Sequence, residues 1–235
     1  MKLLRYSLAL LLLLFGSGFA FSLAAQDDVI AVGILVYDGV YNTELVAPYD
    51  VFQHAATHTN GRLRVFTVAP RVGSVTTAEG LRLIPDYSFL TAPPIDWLVV
   101  PSGENYQSDR KDPVLVDWIR HTGRRAQVVH SNCWGAFLLG AAGLLDSKRA
   151  TTFPASLDDF AQAFPKVDVR RDVVFVDDNG ILTSAGGVTS YQAALYLVEK
   201  YLGPDVAQKV ARGLVLEWDL ARIKHETVPA PAGSR

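Results

Sequence analysis

The 235-residue chain contains one cysteine, and the residues around it are typical of a reactive thiol. Residues 126–129 form a short apolar run that predicts a strand, and Gly135 begins a run of small and apolar residues at helical spacing. Cys133 lies between the two with almost no loop, so its side chain would face the free N–H groups at the start of the helix. This position predicts a thiol that ionises more easily than a free one. The alternative is a buried structural cysteine.

Glu44 is the second residue that could do chemistry. The pattern of residues 42–57 predicts a helix, capped by Asn42 or Thr43. A carboxylate in the first turn complements the helix dipole, so a solvated helix end is the ordinary interpretation of Glu44. The other interpretation is an acid that lies beside the thiol.

Apolar strand-like runs alternate with helical patterns, and this alternation predicts an α/β fold. Strands are expected at residues 29–37, 63–69, 97–100 and 126–129, and again at 173–176, which a turn at residues 177–180 should follow. Such a pattern requires a mostly parallel sheet with helices on both faces, a three-layer sandwich. Ligands of these folds bind at the carboxyl ends of the strands. The loops 38–44, 103–106, 133–134 and 186–190 should meet there, which would bring Glu44 and Cys133 together.

Residues 1–25 have the pattern of a signal peptide. Lys2 and Arg5 precede an apolar run, and small residues suit cleavage after Ala24 or Ala25. We therefore expect a periplasmic or secreted protein, with an uncleaved inner-membrane anchor as the alternative. Residues 26–227 should form one domain, and the Pro-rich residues 228–235 a disordered tail.

Composition excludes several classes of partner. Lys and Arg number 22 against 24 Asp and Glu, and without residues 1–25 the basic count falls to 20, a net charge of −4. No basic run is present, so we expect no nucleic-acid partner. A single cysteine forms no internal disulfide, and no group of His, Cys and acidic residues has metal-ligand spacing, so neither a metal nor a cofactor is expected.

The motif SNCWGAFLLGAAGLL around Cys133 resembles the DJ-1/PfpI superfamily, which has the flavodoxin-like fold of class I glutamine amidotransferase-like proteins. Three further segments resemble its isocyanide hydratase branch and the amidase-like domains of AraC-type regulators: VYNTELVAPYDVF, LLDSKRATT and ILTSAGGVTSYQAALYLVEKYLG. The resemblance extends over residues 29–214. Members of this superfamily are usually dimers, so it also implies a homodimer.

The resemblance implies roles for particular residues. An acid hydrogen-bonded to the cysteine sulfur is expected, and Glu44 stands at its position. In the hydratases the thiolate attacks the isocyanide carbon while the acid shuttles protons. The backbone N–H groups of Gly103 and Trp134 would occupy oxyanion-hole-like positions. The remaining assignments concern a narrow apolar pocket, formed by Trp134, Tyr106, Phe153 and Gly187.

The chain departs from the family pattern at several positions. Trp134 stands where protease-like members have His and the hydratases have Thr, so the Cys-His dyad is missing and peptidase activity is not expected. Phe153 replaces the His of related ATTH motifs. His225-Glu226 lies in the tail with the wrong spacing for a glutamine amidotransferase. His130 is interpreted as a hydrogen-bonded core histidine, and the chain's end at Arg235 leads us to expect no helix-turn-helix domain.

Two hypotheses about function follow. The first is an enzyme that adds water to a small electrophile, an isocyanide or a reactive carbonyl, with Cys133 as nucleophile and Glu44 as general acid/base. The second is a non-catalytic protein that binds a small ligand or senses oxidants through Cys133. A membrane would be a partner only if the N-terminal segment is retained.

Overall fold

The computed structural model describes residues 29–228. The predicted signal peptide and all of the predicted tail except Val228 lie outside the described residues. In chain order, the strands are β1 (Ile30–Leu35), β2 (Leu63–Ala69), β3 (Val75–Thr76), β4 (Arg82–Leu83), β5 (Tyr87–Ser88), β6 (Trp97–Val100), β7 (Val128–Asn132), β8 (Arg149–Ala150), β9 (Asp168–Val169), β10 (Phe175–Asp178), β11 (Ile181–Ser184) and β12 (His225–Val228).

The α-helices alternate with these strands, as the sequence pattern predicts. They are α1 (Asn42–His58), α2 (Tyr106–Asp109), α3 (Pro113–Gly123), α4 (Gly135–Ala141), α5 (Leu157–Ala163), α6 (Ser190–Leu202) and α7 (Pro204–Gly213). Short 3-10 turns cover Pro154–Ser156, Gly187–Thr189 and Leu220–Arg222.

The main sheet has the strand order β12-β10-β11-β7-β6-β1-β2-β5. Strands β2, β1, β6, β7 and β11 are parallel neighbours, and β10 is antiparallel to β11. The connection from β1 to β2 runs toward one edge of the sheet, and the connection from β6 to β7 runs toward the opposite edge. Because such crossovers are right-handed, α1 and α3 lie on opposite faces of the sheet. The three-layer, flavodoxin-like α/β architecture predicted from the sequence is confirmed.

The central strands are buried because helices cover both of their faces. Five of the six residues of β1 are buried, and so are all residues of β6 and β7. Continuous apolar runs are what such doubly covered strands require. In the part of the chain that the structure describes, no helix has the length and apolarity needed to cross a membrane.

Three local predictions are wrong, each because a contact distant in sequence intervenes. Helix α1 is not capped by its own side chains; its Asn42 N–H donates to the Glu79 carboxylate at 3.0 Å. The Asp177-Asp178 pair belongs to strand β10 rather than to the turn, since Asp177 is buried and accepts from Tyr196. Val228, the first residue of the predicted tail, and His225-Glu226 lie in edge strand β12, paired with β10.

Candidate active site

Cys133 lies on a strained turn between β7 and α4. Its φ is +52°, in the left-handed region that a non-glycine residue seldom adopts. Two hydrogen bonds hold this conformation: the Cys133 N–H donates to the Ser184 carbonyl at 3.0 Å, and the Thr152 hydroxyl donates to the Cys133 carbonyl at 2.7 Å. The predicted strand-to-helix elbow is therefore present, and backbone strain of this kind is concentrated at functional sites.

Two glycines allow neighbouring loops to approach the elbow closely. A Cβ on Gly135 would lie 2.2 Å from the Val100 carbonyl oxygen. A Cβ on Gly186, whose φ is +84°, would lie 2.3 Å from the Cβ of Cys133. Neither position accommodates a side chain, so the ends of β6, β7 and β11 meet around the thiol.

Glu44 is buried, and its carboxylate is held by the loop that follows β11. It is only 4% exposed. One carboxylate oxygen accepts the Gly187 N–H at 2.7 Å, and the other accepts the Ser190 hydroxyl at 3.0 Å. The interpretation of Glu44 as a solvated helix end is wrong, because tertiary packing covers the first turn of α1. The Gly187 N–H is thus a hydrogen-bond donor to the acid, and the predicted place of Gly187 in a pocket stays a prediction.

Asn132 links the acid to the strand that carries the cysteine. Its side-chain amide donates to the Glu44 carbonyl at 3.1 Å and accepts the Ser184 hydroxyl at 2.7 Å. Sequence reasoning did not identify Asn132, Ser184, Ser190 or Thr152. The signal available for them was their position at the strand ends where the functional loops were expected.

The hydrogen bond from Glu44 to the Cys133 sulfur, which the family resemblance implied, is not among those that residues 29–228 make. The carboxyl is nevertheless near enough for its charge to affect the thiol. Burial raises the pKa of Glu44 to about 7, and the bonds from Gly187 and Ser190 only partly oppose this rise. The acid thus titrates in the range where proton shuttles operate.

The thiol itself is protonated at neutral pH. Burial, and secondly the charge of Glu44, raise the pKa of Cys133 to about 12, and the Trp134 N–H and the neighbouring Ser102 hydroxyl only partly oppose this rise. The prediction of an easily ionised thiol is wrong for the unliganded protein, because desolvation outweighs the field of the short helix α4. Any reaction at sulfur therefore needs a base, and Glu44 is the nearby candidate.

The two backbone N–H groups assigned to oxyanion-hole-like positions lie close to this centre. Gly103 forms an isolated bridge with Val40 in the loop before α1. Within the described chain, neither the Gly103 N–H nor the Trp134 N–H donates to a backbone carbonyl. The Trp134 N–H is directed to the Cys133 sulfur, and the oxyanion-hole-like role of both groups stays a prediction.

The predicted pocket side chains form an aromatic cluster beside Cys133. Trp134 stacks on Tyr106 with ring centroids 4.3 Å apart and meets Phe153 edge-on at 5.7 Å. Tyr41, which the sequence did not suggest, lies 6.2 Å from Trp134. The indole N–H donates to the Ser156 hydroxyl at 2.8 Å, which fixes the orientation of the ring. That these side chains line a pocket for a ligand stays a prediction.

An open crevice of about 770 Å³ adjoins the elbow without reaching its reactive groups. Thr152 and Ala185 line one side, and Arg171, Arg222 and Lys224 contribute positive charge, but Cys133 and Glu44 do not line it. Cys133 is only 7% exposed. The reactive end of any substrate must therefore be narrow.

His130 is fully buried, as predicted, but it is not hydrogen-bonded as predicted. Neither ring nitrogen has a hydrogen-bond partner among the residues described. Burial lowers the pKa of His130 to about 4, and the neighbouring Asn132 side chain opposes this only in part. His130 is neutral at physiological pH. No group of three or more His, Cys, Asp and Glu residues in the described region is arranged to hold a metal ion.

The fold and the site define an α/β protein with a cysteine on a strained elbow beside a buried acid. Residues 31–200 match the DJ-1/PfpI family, and the chain belongs to that family. It is 32% identical over 201 residues to an isonitrile hydratase from Pseudomonas putida, which covers 85% of this chain and 79% of that protein.

Solved structures show the same fold. A THiJ/PfpI family protein from Pseudomonas syringae matches with a TM-score of 0.73 and 25% identity, over 87% of this chain and 79% of that one. An AraC family transcriptional regulator from Pseudomonas putida matches with a TM-score of 0.66 and 20% identity, over 79% of this chain and 99% of that one.

Proposed function

We propose that the protein is a cysteine-dependent hydratase that adds water to an isonitrile, with Cys133 as nucleophile and Glu44 as general acid/base. The observation that carries this proposal is the pairing of the elbow thiol with a buried carboxyl whose pKa is raised to about 7. Similarity to the isonitrile hydratase of Pseudomonas putida supports the choice of substrate. An isonitrile also suits an almost buried thiol, since its reactive carbon is the narrow end of a linear group.

In the first half of the reaction, ionised Glu44 removes the proton of the Cys133 thiol, and the sulfur bonds to the isonitrile carbon. The proton then passes from Glu44 to the substrate, which leaves a neutral thioimidate on the sulfur. This order of events follows from the resting thiol being protonated, because proton removal must accompany attack.

In the second half, Glu44 takes a proton from water as the oxygen bonds to the same carbon. Glu44 passes this proton to the nitrogen, the carbon–sulfur bond breaks, the remaining hydroxyl proton passes through Glu44 to the sulfur, and an N-substituted formamide leaves. The net reaction adds one water molecule to the isonitrile and restores the thiol, so no cofactor is consumed. The N–H groups of Gly103 and Trp134 would stabilise negative charge during these steps, and the aromatic cluster would hold the apolar substituent.

The test is formamide production from cyclohexyl isocyanide by the full chain. We expect turnover by the wild type, a loss of about a thousandfold in Cys133→Ser and of about a hundredfold in Glu44→Gln. Lys209→Ala, at an exposed position on α7, is the control and should match the wild type. Equal turnover by the wild type and Cys133→Ser would refute the proposal, and a reactive carbonyl substrate should be assayed in parallel.

A second candidate is a non-catalytic protein that binds a small ligand. Trp134 favours it, because this bulky side chain stands where the hydratases have Thr. The raised thiol pKa counts against the related idea of an oxidant sensor, which needs a thiolate. Stabilisation by an isonitrile without turnover would support ligand binding over catalysis.

Export and dimerisation complete the proposal. We expect the mature chain to begin after Ala24 or Ala25, which intact-mass measurement of the periplasmic fraction would test. A homodimer is expected from the resemblance, and light scattering on the purified protein would contradict it by returning the mass of one chain.

A further inference from the structure

The segment that follows β8 reaches the elbow with a buried hydroxyl. Thr152 is 0% exposed, and its Oγ1 donates to the Cys133 carbonyl at 2.7 Å. The same carbonyl also accepts the Ala136 N–H, in the first turn of α4, at the longer distance of 3.3 Å. The shorter of the two hydrogen bonds therefore comes from outside the elbow and its helix.

Thr152 can serve as a fixed point because its segment is anchored to the main sheet. The Arg149 N–H donates to the Asp178 carboxylate at 2.9 Å, and the Thr151 N–H donates to the Thr183 hydroxyl at 2.9 Å. Strands β10 and β11 carry these two acceptors. The position of the Thr152 hydroxyl is thus set by the sheet rather than by α4.

The hydrogen bond to the Cys133 carbonyl also fixes a neighbouring N–H group. A trans peptide unit is planar, so its C=O and N–H groups point in opposite directions. Holding the Cys133 carbonyl oxygen toward Thr152 therefore turns the Trp134 N–H away from Thr152. In the described chain this N–H donates to no backbone carbonyl, and it is directed to the Cys133 sulfur.

Strain at the elbow gives this peptide unit a reason to rotate. The φ of Cys133 is +52°, and such a conformation persists only where surrounding contacts hold it. The peptide unit before the cysteine is held separately, because the Cys133 N–H donates to the Ser184 carbonyl at 3.0 Å. The unit after the cysteine depends on the Thr152 hydroxyl.

We propose that Thr152 is a positioning residue whose hydroxyl holds the peptide unit between Cys133 and Trp134, so that the Trp134 N–H faces the sulfur. This inference rests on the proposed function and refines it. Thr152 acts through the Trp134 N–H, which stabilises the negative charge that develops when the thiol is deprotonated and attacks.

The charge balance at the thiol shows why this orientation matters. Burial, and secondly the charge of Glu44, raise the pKa of Cys133 to about 12, and the Trp134 N–H is one of the groups that oppose this rise. An N–H turned away from the sulfur would leave the developing thiolate without that donor. Loss of the Thr152 hydroxyl should therefore raise the pKa of the thiol further.

The first experiment measures alkylation of the full chain by iodoacetamide at several pH values between about 7 and 10. Because Cys133 is the only cysteine, all modification reports on one sulfur. We expect Thr152→Val, which keeps the shape of the side chain, to slow alkylation by about tenfold at each pH, since the thiolate fraction falls tenfold for each unit of pKa. Thr152→Ser, which keeps the hydroxyl, should restore most of the rate.

Thr151→Val is the matched control. Thr151 is also buried, and its hydrogen bond to β11 comes from its backbone N–H, so the substitution removes a neighbouring hydroxyl without changing the bond to the elbow. Its alkylation should match that of the wild type. A turn that only loosens would expose the sulfur and raise the rate. Faster alkylation of Thr152→Val, or a rate equal to that of Thr151→Val, would therefore overturn the inference.

Turnover of cyclohexyl isocyanide gives the second readout. An oriented N–H acts on the charge that develops during attack rather than on substrate binding. Thr152→Val should therefore lower kcat by about ten- to a hundredfold, with KM changed by less than about twofold. A loss that appears in KM alone would contradict a positioning role.

Failure of this inference is distinguishable from failure of the proposed function, because alkylation needs no substrate. Slower alkylation of Thr152→Val in a protein without isonitrile turnover would keep the positioning role and remove the hydratase. Turnover by the wild type with unchanged alkylation of the variant would do the reverse. Thr152→Val should fold, since the Cys133 carbonyl keeps the Ala136 N–H as a partner, and circular dichroism checks this.

Discussion

Asn132 and Glu44 lie 88 residues apart in sequence and are joined by a hydrogen bond of 3.1 Å from the Asn132 amide to the Glu44 carbonyl. The start of α1 and the end of β7 are therefore held as one unit. Since the next residue after Asn132 is Cys133, this bond sets where the acid lies relative to the sulfur.

Replacement of Asn132 by Leu should weaken both stability and activity. The substitution leaves the Glu44 carbonyl and the Ser184 hydroxyl without their partner in a buried site. We expect a loss of about 1–3 kcal/mol in the free energy of unfolding, measured by urea denaturation. Ser184→Ala, which removes only one of the two hydrogen bonds, is the control, and an equal effect from it would argue against a link through Glu44.

Glu44 should make stability fall as the pH rises. Its folded pKa, raised to about 7 by burial, lies above the ordinary value of 4.5, so the folded protein binds more protons than the unfolded chain between these values. The carboxyl therefore favours folding fully below pH 4.5, and that contribution is lost as the pH approaches 7.

The size of this effect can be isolated with Glu44→Gln. Relative to the variant, the wild type should lose about 3 kcal/mol between pH 4.5 and pH 7.5. His130, whose folded pKa is lowered by burial, reduces the free energy of unfolding as the pH falls through 6.5. This effect is the same in both proteins and cancels in the comparison. A pH-independent difference between the two unfolding free energies would contradict the assignment.

Replacement by Ala should lower stability much more at Gly186 than at Gly187. Both have positive φ, so both substitutions bear a strain of about 1–2 kcal/mol. Only Gly186→Ala also places a methyl group 2.3 Å from the Cys133 Cβ, whereas a Cβ at Gly187 meets no atom within 4 Å. We expect Gly186→Ala to be destabilised by at least about 2 kcal/mol more. Urea denaturation of the two variants measures the difference. Equal stability would mean that the loop around Gly186 moves away from Cys133 to accommodate the methyl group.

Trp134→Thr should widen the approach to the sulfur. It removes the stack on Tyr106 and the hydrogen bond to Ser156, so we expect faster alkylation by bulky maleimides and about 1–3 kcal/mol lower stability. Phe153→Leu changes the exposed edge of the same cluster and serves as the comparison. If bulky reagents react no faster with Trp134→Thr than with the wild type, the indole does not limit access.

The sequence by itself determined the architecture and the location of the elbow cysteine. Doubly buried strands and the turn at Cys133 are encoded by local runs of residue types, so apolar periodicity and a motif resemblance were sufficient. The same reasoning brought the loops of Glu44, Gly103 and Gly187 to one sheet edge, because parallel strands present their carboxyl ends together.

Only the tertiary structure decided which residues of the site contact one another and how deeply they are buried. The burial of Glu44 and the link through Asn132 both depend on contacts between segments far apart in the chain. The state of the thiol was mispredicted for the same reason: a local pattern reveals a helix N-terminus, whereas desolvation depends on everything packed around the sulfur.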